Sequence, residues 1–200
     1  MKQLLIIISV LSVVFMGFEY RALSSAKTGF FIPLPENWFD QTQLSVKDNL
    51  SNFDLSEEEI DKLLQSHKGS IPVVIYMKYD PQEFVGPIPT IQVNLRPNRS
   101  SSFGQFKEIM KTSMGQMASY FENYKLLRPL EEINVDGVKG ITFLAQFDLP
   151  NEKGDPWTIR SWTYAFPNGK YFYQINFSDT ENEKSEDVYH QVIQHVKFKK

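Results

Sequence analysis

The stretch WTYAFPNGKYFYQINF, residues Trp162–Phe177, holds two runs in which large and small or polar residues alternate around Pro-Asn-Gly-Lys. Alternation with a period of two is the signature of a β-strand with two unlike faces. An Asn-Gly pair between such runs predicts a hairpin closed by a two-residue type I′ turn, because both central residues need positive φ. With Asn168 and Gly169 at the turn, Phe166 faces Tyr171, Tyr164 faces Tyr173, Trp162 faces Ile175 and Arg160 faces Phe177 on one side of the ribbon. The other side pairs Ala165 with Phe172, Thr163 with Gln174 and Ser161 with Asn176. One face is an aromatic core wall and the other is mostly small and polar.

Outward from this hairpin the same grammar recurs. Val135-Asp136-Gly137-Val138 carries the Asp-Gly pair of a second type I′ hairpin. Strands are predicted over Val73–Tyr79 and Pro89–Arg96, separated by a loop at Asp80–Pro87. In the second, Ile91, Val93 and Leu95 alternate with Gln92, Asn94 and Arg96, one buried face against one wet face. Gly29–Leu34 is a short apolar strand that runs into the turn Pro35-Glu36-Asn37-Trp38. A helix is expected over Asp54–His67, with Ser56 as N-cap, Glu59 completing a capping box, Leu55 stapled onto Ile60, and Ile60, Leu63 and Leu64 as its buried stripe. A longer one is expected over Ser102–Tyr124, where Phe103, Phe106, Met110, Met114, Met117 and Phe121 recur at helical spacing. Its methionines fit core filling by a flexible side chain, the favoured reading, or an adaptable ligand groove. A last helix is expected over Glu181–Val196 behind a Thr180/Glu183 capping box, burying Val188, Val192, Ile193 and Val196. No repeat, low-complexity tract or linker divides the chain, so residues 27–200 read as one domain.

The composition sets the class. The chain has 200 residues, 42% of them hydrophobic and 22% charged, with 16 Phe, 9 Tyr and 3 Trp to fill a core. Twenty-one basic against 24 acidic residues give a net charge of −3, without the basic excess of a general nucleic-acid binder. The absence of cysteine removes disulfides, thiol nucleophiles, cysteine-held metals and lipidation of an N-terminal cysteine. Lys2 precedes an apolar run from Leu4 to Phe18, the length of a signal-peptide core and short of the ~20 residues a membrane span needs. Ser24-Ser25-Ala26 then supplies small residues for cleavage after Ala26, although an uncleaved anchor is the competing reading. Cleavage would make residues 1–26 a signal peptide and, by removing Lys2, Arg21 and Glu19, would move the balance from −3 to −4. The protein is therefore expected to be exported, periplasmic or secreted, and to touch a membrane only if the leader stays.

No catalytic constellation is legible. His190 and His195 lie five apart on one helix, about 140° around its axis, a poor chelate, and His67 stands elsewhere. HExxH, the Gly-x-Ser-x-Gly elbow, the P-loop and the dinucleotide fingerprint are all missing. Asp148–Asp155 has the composition of a calcium loop, but Pro150 stands at its third position and Ile159 at its twelfth, so it reads as a solvated turn. Asn49, Asn98 and Asn176 each head an Asn-x-Ser sequon, relevant only in a glycosylating host. The sequence thus predicts no enzyme, no cofactor and no metal site.

The order of elements resembles the PsbP-like family, whose fold also includes the DcrB-like bacterial envelope proteins and a yeast Ran-binding protein. The resemblance rests on FFIPLPENW (Phe30–Trp38), INVDGVKGITF (Ile133–Phe143), the hairpin Trp162–Phe177 and the final helix reaching Val196-Lys197-Phe198. It implies an α+β fold, an antiparallel β-sheet flanked by helices on both faces. It also implies a non-catalytic accessory or binding role, with another envelope protein or a small ligand as partner. An alternative is a small-molecule or lipid carrier using a cleft beside the central helix. In such a sandwich Ser161, Thr163, Gln174 and Asn176 would lie under cover, where an unpaired buried polar group costs ~1–3 kcal/mol. These four form the candidate binding face, with a wet edge ribbon as the plainer explanation.

Overall fold

A computed structural model describes residues 22–25, 30–42, 57–151, 154–183 and 185–198. Its centre is a seven-stranded antiparallel sheet in the order β3-β4-β5-β9-β8-β7-β6. The strands are β3 (Phe39–Asp40), β4 (Ile71–Met77), β5 (Thr90–Pro97), β6 (Glu122–Val135), β7 (Val138–Leu149), β8 (Trp157–Asn168) and β9 (Tyr171–Thr180). A three-stranded sheet, β1-β2-β10, joins β1 (Ala22–Ser25), β2 (Phe30–Pro33) and β10 (Lys197–Phe198). The helices among the described residues are α1 (Glu57–Ser66), α2 (Phe103–Met117) and α3 (Glu186–Gln194). The α+β class expected from the sequence is the one observed. β1 lies inside the segment read as a leader; residues 1–21, the cleavage residue Ala26, the Ser56 capping box and Asn49 lie outside the described residues.

The aromatic face of the β8–β9 hairpin organises the core. Trp162, Tyr164, Phe166, Tyr173, Ile175 and Phe177 are buried there with Ile91, Val93 and Leu95 of β5. The small sheet closes one end, where Phe198 meets Phe166 with ring centroids 4.9 Å apart and Phe30 stacks on Tyr173 at 4.7 Å. α3 closes the other, where Tyr189 meets Phe177 at 4.9 Å and Trp162 at 5.9 Å and donates its hydroxyl to Ser178 O. Leu64 of α1 completes the cover. At the rim Arg160 pairs with Asp179, whose side chain is buried; burial outweighs the guanidinium and raises this carboxyl to about 6. Among the described residues the opposite face receives only α2, through Phe106 and Met110 on Ile141, Ala165 and Phe172. Helices thus flank both faces.

Three expectations change. The late hairpin pairs Asn168 with Tyr171, Phe166 with Tyr173, Tyr164 with Ile175, Thr163 with Asn176 and Ser161 with Ser178, two residues away from the expected partners. Positive φ occurs at Gly169 (59°) but not at Asn168 or Lys170, so the loop is Gly169-Lys170 with glycine first, as in a type II′ turn. Asn98 holds it there, donating its N–H to Lys170 O and its amide to Gly169 O. A shift of two leaves every side chain on its face, so the aromatic wall survives the change of partners. The first hairpin does take the expected turn, with positive φ at both Asp136 and Gly137. Its Asp136 carboxylate accepts from Phe198 N and Lys197 Nζ, tying the turn to β10.

The central helix stops at Met117 rather than Tyr124. Asn123 turns the chain with φ 52°, its amide donating to Asp148, and β6 begins at Glu122. Phe121 still faces the sheet, stacked on Phe147 at 4.2 Å, but from the turn after the helix. The last helix begins at Glu186, behind Ser185, and the Thr180/Glu183 capping box does not form. Glu183 is engaged elsewhere, by Lys78 and by the Tyr79 hydroxyl at 2.9 Å, which together hold its carboxyl below the ordinary range despite partial burial.

Trp162 and Thr163 are equally buried, at 4% exposure each, on opposite faces. Trp162→Ala is expected to cost ~3–5 kcal/mol, as a large core truncation. Thr163→Ala, which removes one hydrogen bond to Asn176, should cost only ~0.5–1.5 kcal/mol. Denaturant melts of the two variants check the assignment of faces. Gly140 meets Phe166 so closely that an added Cβ would stand 2.5 Å from Cδ1 and 2.8 Å from the Ala165 carbonyl oxygen. Gly140→Ala is therefore expected to lose ~1–3 kcal/mol by overpacking, a fall in Tm of ~2–12 °C at ~2–4 °C per kcal/mol for a chain of this size.

Candidate functional site

Alternation puts Gln92 and Asn94 of β5, Gln174, Asn176 and Ser178 of β9, and Ser161 and Thr163 of β8 on the α2 side of the sheet. They satisfy one another there. Thr163 Oγ1 donates to Asn176 Oδ1 at 3.1 Å and Gln174 Nε2 donates to the same oxygen at 3.2 Å. Gln92 Nε2 reaches Asn94 Oδ1 at 3.2 Å, and Ser178 Oγ donates to Ser161 Oγ at 3.3 Å. Of the four residues singled out from the sequence, Ser161 and Thr163 are buried and Gln174 and Asn176 are half-buried. The network joins Thr163, Gln174 and Asn176; Ser161 pairs with Ser178 instead. Pairing within the sheet lets polar side chains sit under partial cover without the penalty of an unmade hydrogen bond.

α2 does not cover this whole face. Its first turns are set on Ala165 and Phe172, and the chain beyond it comes down on Phe147. Between α2 and the β5–β9 strip a cleft of about 700 Å³ remains, and Gln174 is the one residue of the four that lines it. Met110, Met114 and Met117 form its helical wall, with Phe143 and Phe172 on the sheet side. The methionine stripe therefore does two jobs: Met110 is buried in the core, while Met114 and Met117 remain half-exposed at the cleft.

One end of the cleft is cationic. Lys68, Arg96 and Arg99 line it from the α1–β4 turn, the end of β5 and the loop beyond. Arg96 is oriented by its hydrogen bond to Gln174 Oε1 at 2.8 Å, and its guanidinium carbon lies 6.0 Å from the centre of the Phe172 ring. Sequence reading placed Arg96 only on the wet face of a strand and passed over Arg99 and Lys68. The available signal was the pair of arginines in Arg96-Pro-Asn-Arg99, directly after a strand.

α2 is also held over the sheet electrostatically. Glu132 of β6 accepts from Lys107 of α2 at 2.9 Å and pairs with Lys139 of β7 at 2.8 Å. Lys139 and Lys107 hold this carboxyl down to about 2. Elsewhere, a shallower concavity of about 350 Å³ lies between the Phe84–Pro87 loop, Trp157 and residues 180–183. Among the described residues no three His, Cys, Asp or Glu side chains are grouped to hold a metal ion. His67 and His195 are exposed, and His190 lies beside Glu186 at 3.4 Å.

No family model matches the chain, and no curated protein matches it in sequence. Solved structures do. Cyanobacterial PsbP (CyanoP) from Synechocystis is similar with a TM-score of 0.54 at 12% identity, over 94% of this chain and 98% of that one. LpqN of Mycobacterium tuberculosis, described as involved in cell envelope biogenesis, is similar with a TM-score of 0.52 at 12% identity, over 86% and 83%. The fold is PsbP-like.

A carboxylate held low in the folded chain stabilises it above the ordinary carboxylate value of 4.5, and that contribution is lost as pH falls toward about 2. Melting curves recorded from pH 7 to pH 2 should therefore show a shallower acid dependence below pH 4.5 for Glu132→Gln than for the natural chain. The difference should shrink at high salt, because the cluster is solvent-exposed.

Proposed function

We propose that this is an exported, non-catalytic accessory or binding protein of the cell envelope. The observation that carries the reading is the apolar run Leu4–Phe18 behind Lys2, ahead of the small residues Ser24-Ser25-Ala26 and a PsbP-like domain. The structural likeness to LpqN, described as an envelope biogenesis protein, supports the compartment. The net charge of −3 speaks against nucleic acid as partner, and another envelope protein or a small ligand remains the partner of choice. On this reading cleavage after Ala26 would take β1 away with the leader and leave one edge of β2 open, because Ala22–Ser25 pair with Phe30–Pro33. An uncleaved leader would keep β1 and tether the domain at the membrane.

A second reading, a carrier of a small molecule or lipid, is favoured by one observation: the methionine-walled cleft of about 700 Å³ beside α2. Its volume lies within the ~300–1,000 Å³ of pockets that bury a small ligand. Methionine suits such a wall because its unbranched, polarisable side chain repacks around different shapes.

Cell fractionation with N-terminal sequencing tests the first reading. The expected outcome is protein in an extracytoplasmic fraction beginning at Lys27. Cytoplasmic protein with residues 1–26 intact would overturn it.

A further inference from the structure

We propose that the cleft beside α2 binds a single-chain amphiphile with an anionic head, the head lying at Arg96, Arg99 and Lys68 and the tail along Met110, Met114 and Met117. This rests on the carrier reading and adds the ligand's chemistry. Three observations carry it. Among the described residues no aspartate or glutamate lines the cleft, although acidic residues outnumber basic ones in the chain, 24 to 21. All three of its charged residues are cations, and among the described residues none of them takes part in an ion pair. Arg96 is nevertheless pre-oriented by Gln174 and Phe172 rather than left to solvent, which lowers the entropic cost of using it as a donor.

The apolar part is arranged to match. From Met110 to Met117 the helix rises about 10 Å, a length that suits an alkyl tail. Ile109 and Tyr120 at the rim are large, apolar and 39% and 81% exposed, so an occupant would cover surface that water now meets. A planar guanidinium presents paired donors to a carboxylate or a phosphate, so either head would be held by the same residues. Gln174, which lines the cleft and holds Arg96, sets a polar side chain beside the head.

The test is titration calorimetry of the full domain with decanoate below its critical micelle concentration, with decanol, and with inorganic phosphate. Decanoate should bind one to one and more tightly than decanol, and phosphate alone should bind far more weakly than either. Arg96→Gln and Arg99→Gln should each weaken decanoate roughly three- to fivefold, as for a solvent-exposed ion pair, and leave decanol unchanged. Raising the salt should weaken the acid and not the alcohol. Among the described residues Arg99 makes no side-chain hydrogen bond or ion pair, so Arg99→Gln tests the head site even if Arg96→Gln disturbs Gln174. Equal binding of acid and alcohol, insensitive to both arginines, would overturn the head assignment and leave the carrier reading standing. Binding of neither amphiphile would overturn both, and phosphate binding as tight as decanoate would replace the proposal by a simple anion site.

Discussion

The structure depends on covering one aromatic wall. Trp162, Tyr164, Phe166, Tyr173, Ile175 and Phe177 project from two central strands onto a single face, and exposed together they would form an apolar patch far larger than a soluble domain tolerates. Almost everything else is recruited to that face. α1, α3 and the small sheet all pack there, and Phe30 and Phe198, from opposite ends of the chain, meet over the same hairpin. The segments around Phe30 and Phe198 are therefore both structural, and Asp136 fastens the last strand to the β6–β7 turn.

Among the described residues that commitment leaves one helix for the opposite face. A single helix is about 10–12 Å wide with its side chains, whereas the large sheet has seven strands spaced ~4.8 Å apart. α2 cannot seal such a face, so its residues must be compatible with partial exposure. The β5, β9 and β8 strands answer with amides and hydroxyls bonded to one another, and the helix answers with methionine. A cleft between polar strands and a flexible apolar wall is the geometric remainder of a core built on one side. Its cationic end has a similar origin: the α1–β4 turn and the β5–α2 connection lie at the same end of the sheet, and their basic residues converge there.

How far the site was legible follows from which interactions are local. Gln174 and the methionines could be named from spacing alone, because period two and period 3.6 act within a few residues. Arg96, Arg99 and Lys68 could not be joined, since Lys68 comes from a different connection and only the sheet order brings it near. The hairpin shows the same limit. Asn168-Gly169 satisfies the rule for a type I′ turn, yet Asn98, seventy residues earlier, holds the loop at Gly169-Lys170. Similarly, the capping pattern at Thr180 and Glu183 is locally sound but loses to Lys78, which forms an ion pair with Glu183, and to the Tyr79 hydroxyl, which donates to it.

By itself, then, the sequence determined the faces of the strands, the existence of three helices and two hairpins, and the α+β class. Each follows from periodicity and turn chemistry that any short window contains. Tertiary structure decided the register of the late hairpin, the ends of α2 and α3, the pairing of β2 with β10 and the opening beside α2. Those outcomes turn on contacts between segments far apart in the chain, and on how much of a seven-stranded sheet one helix can cover.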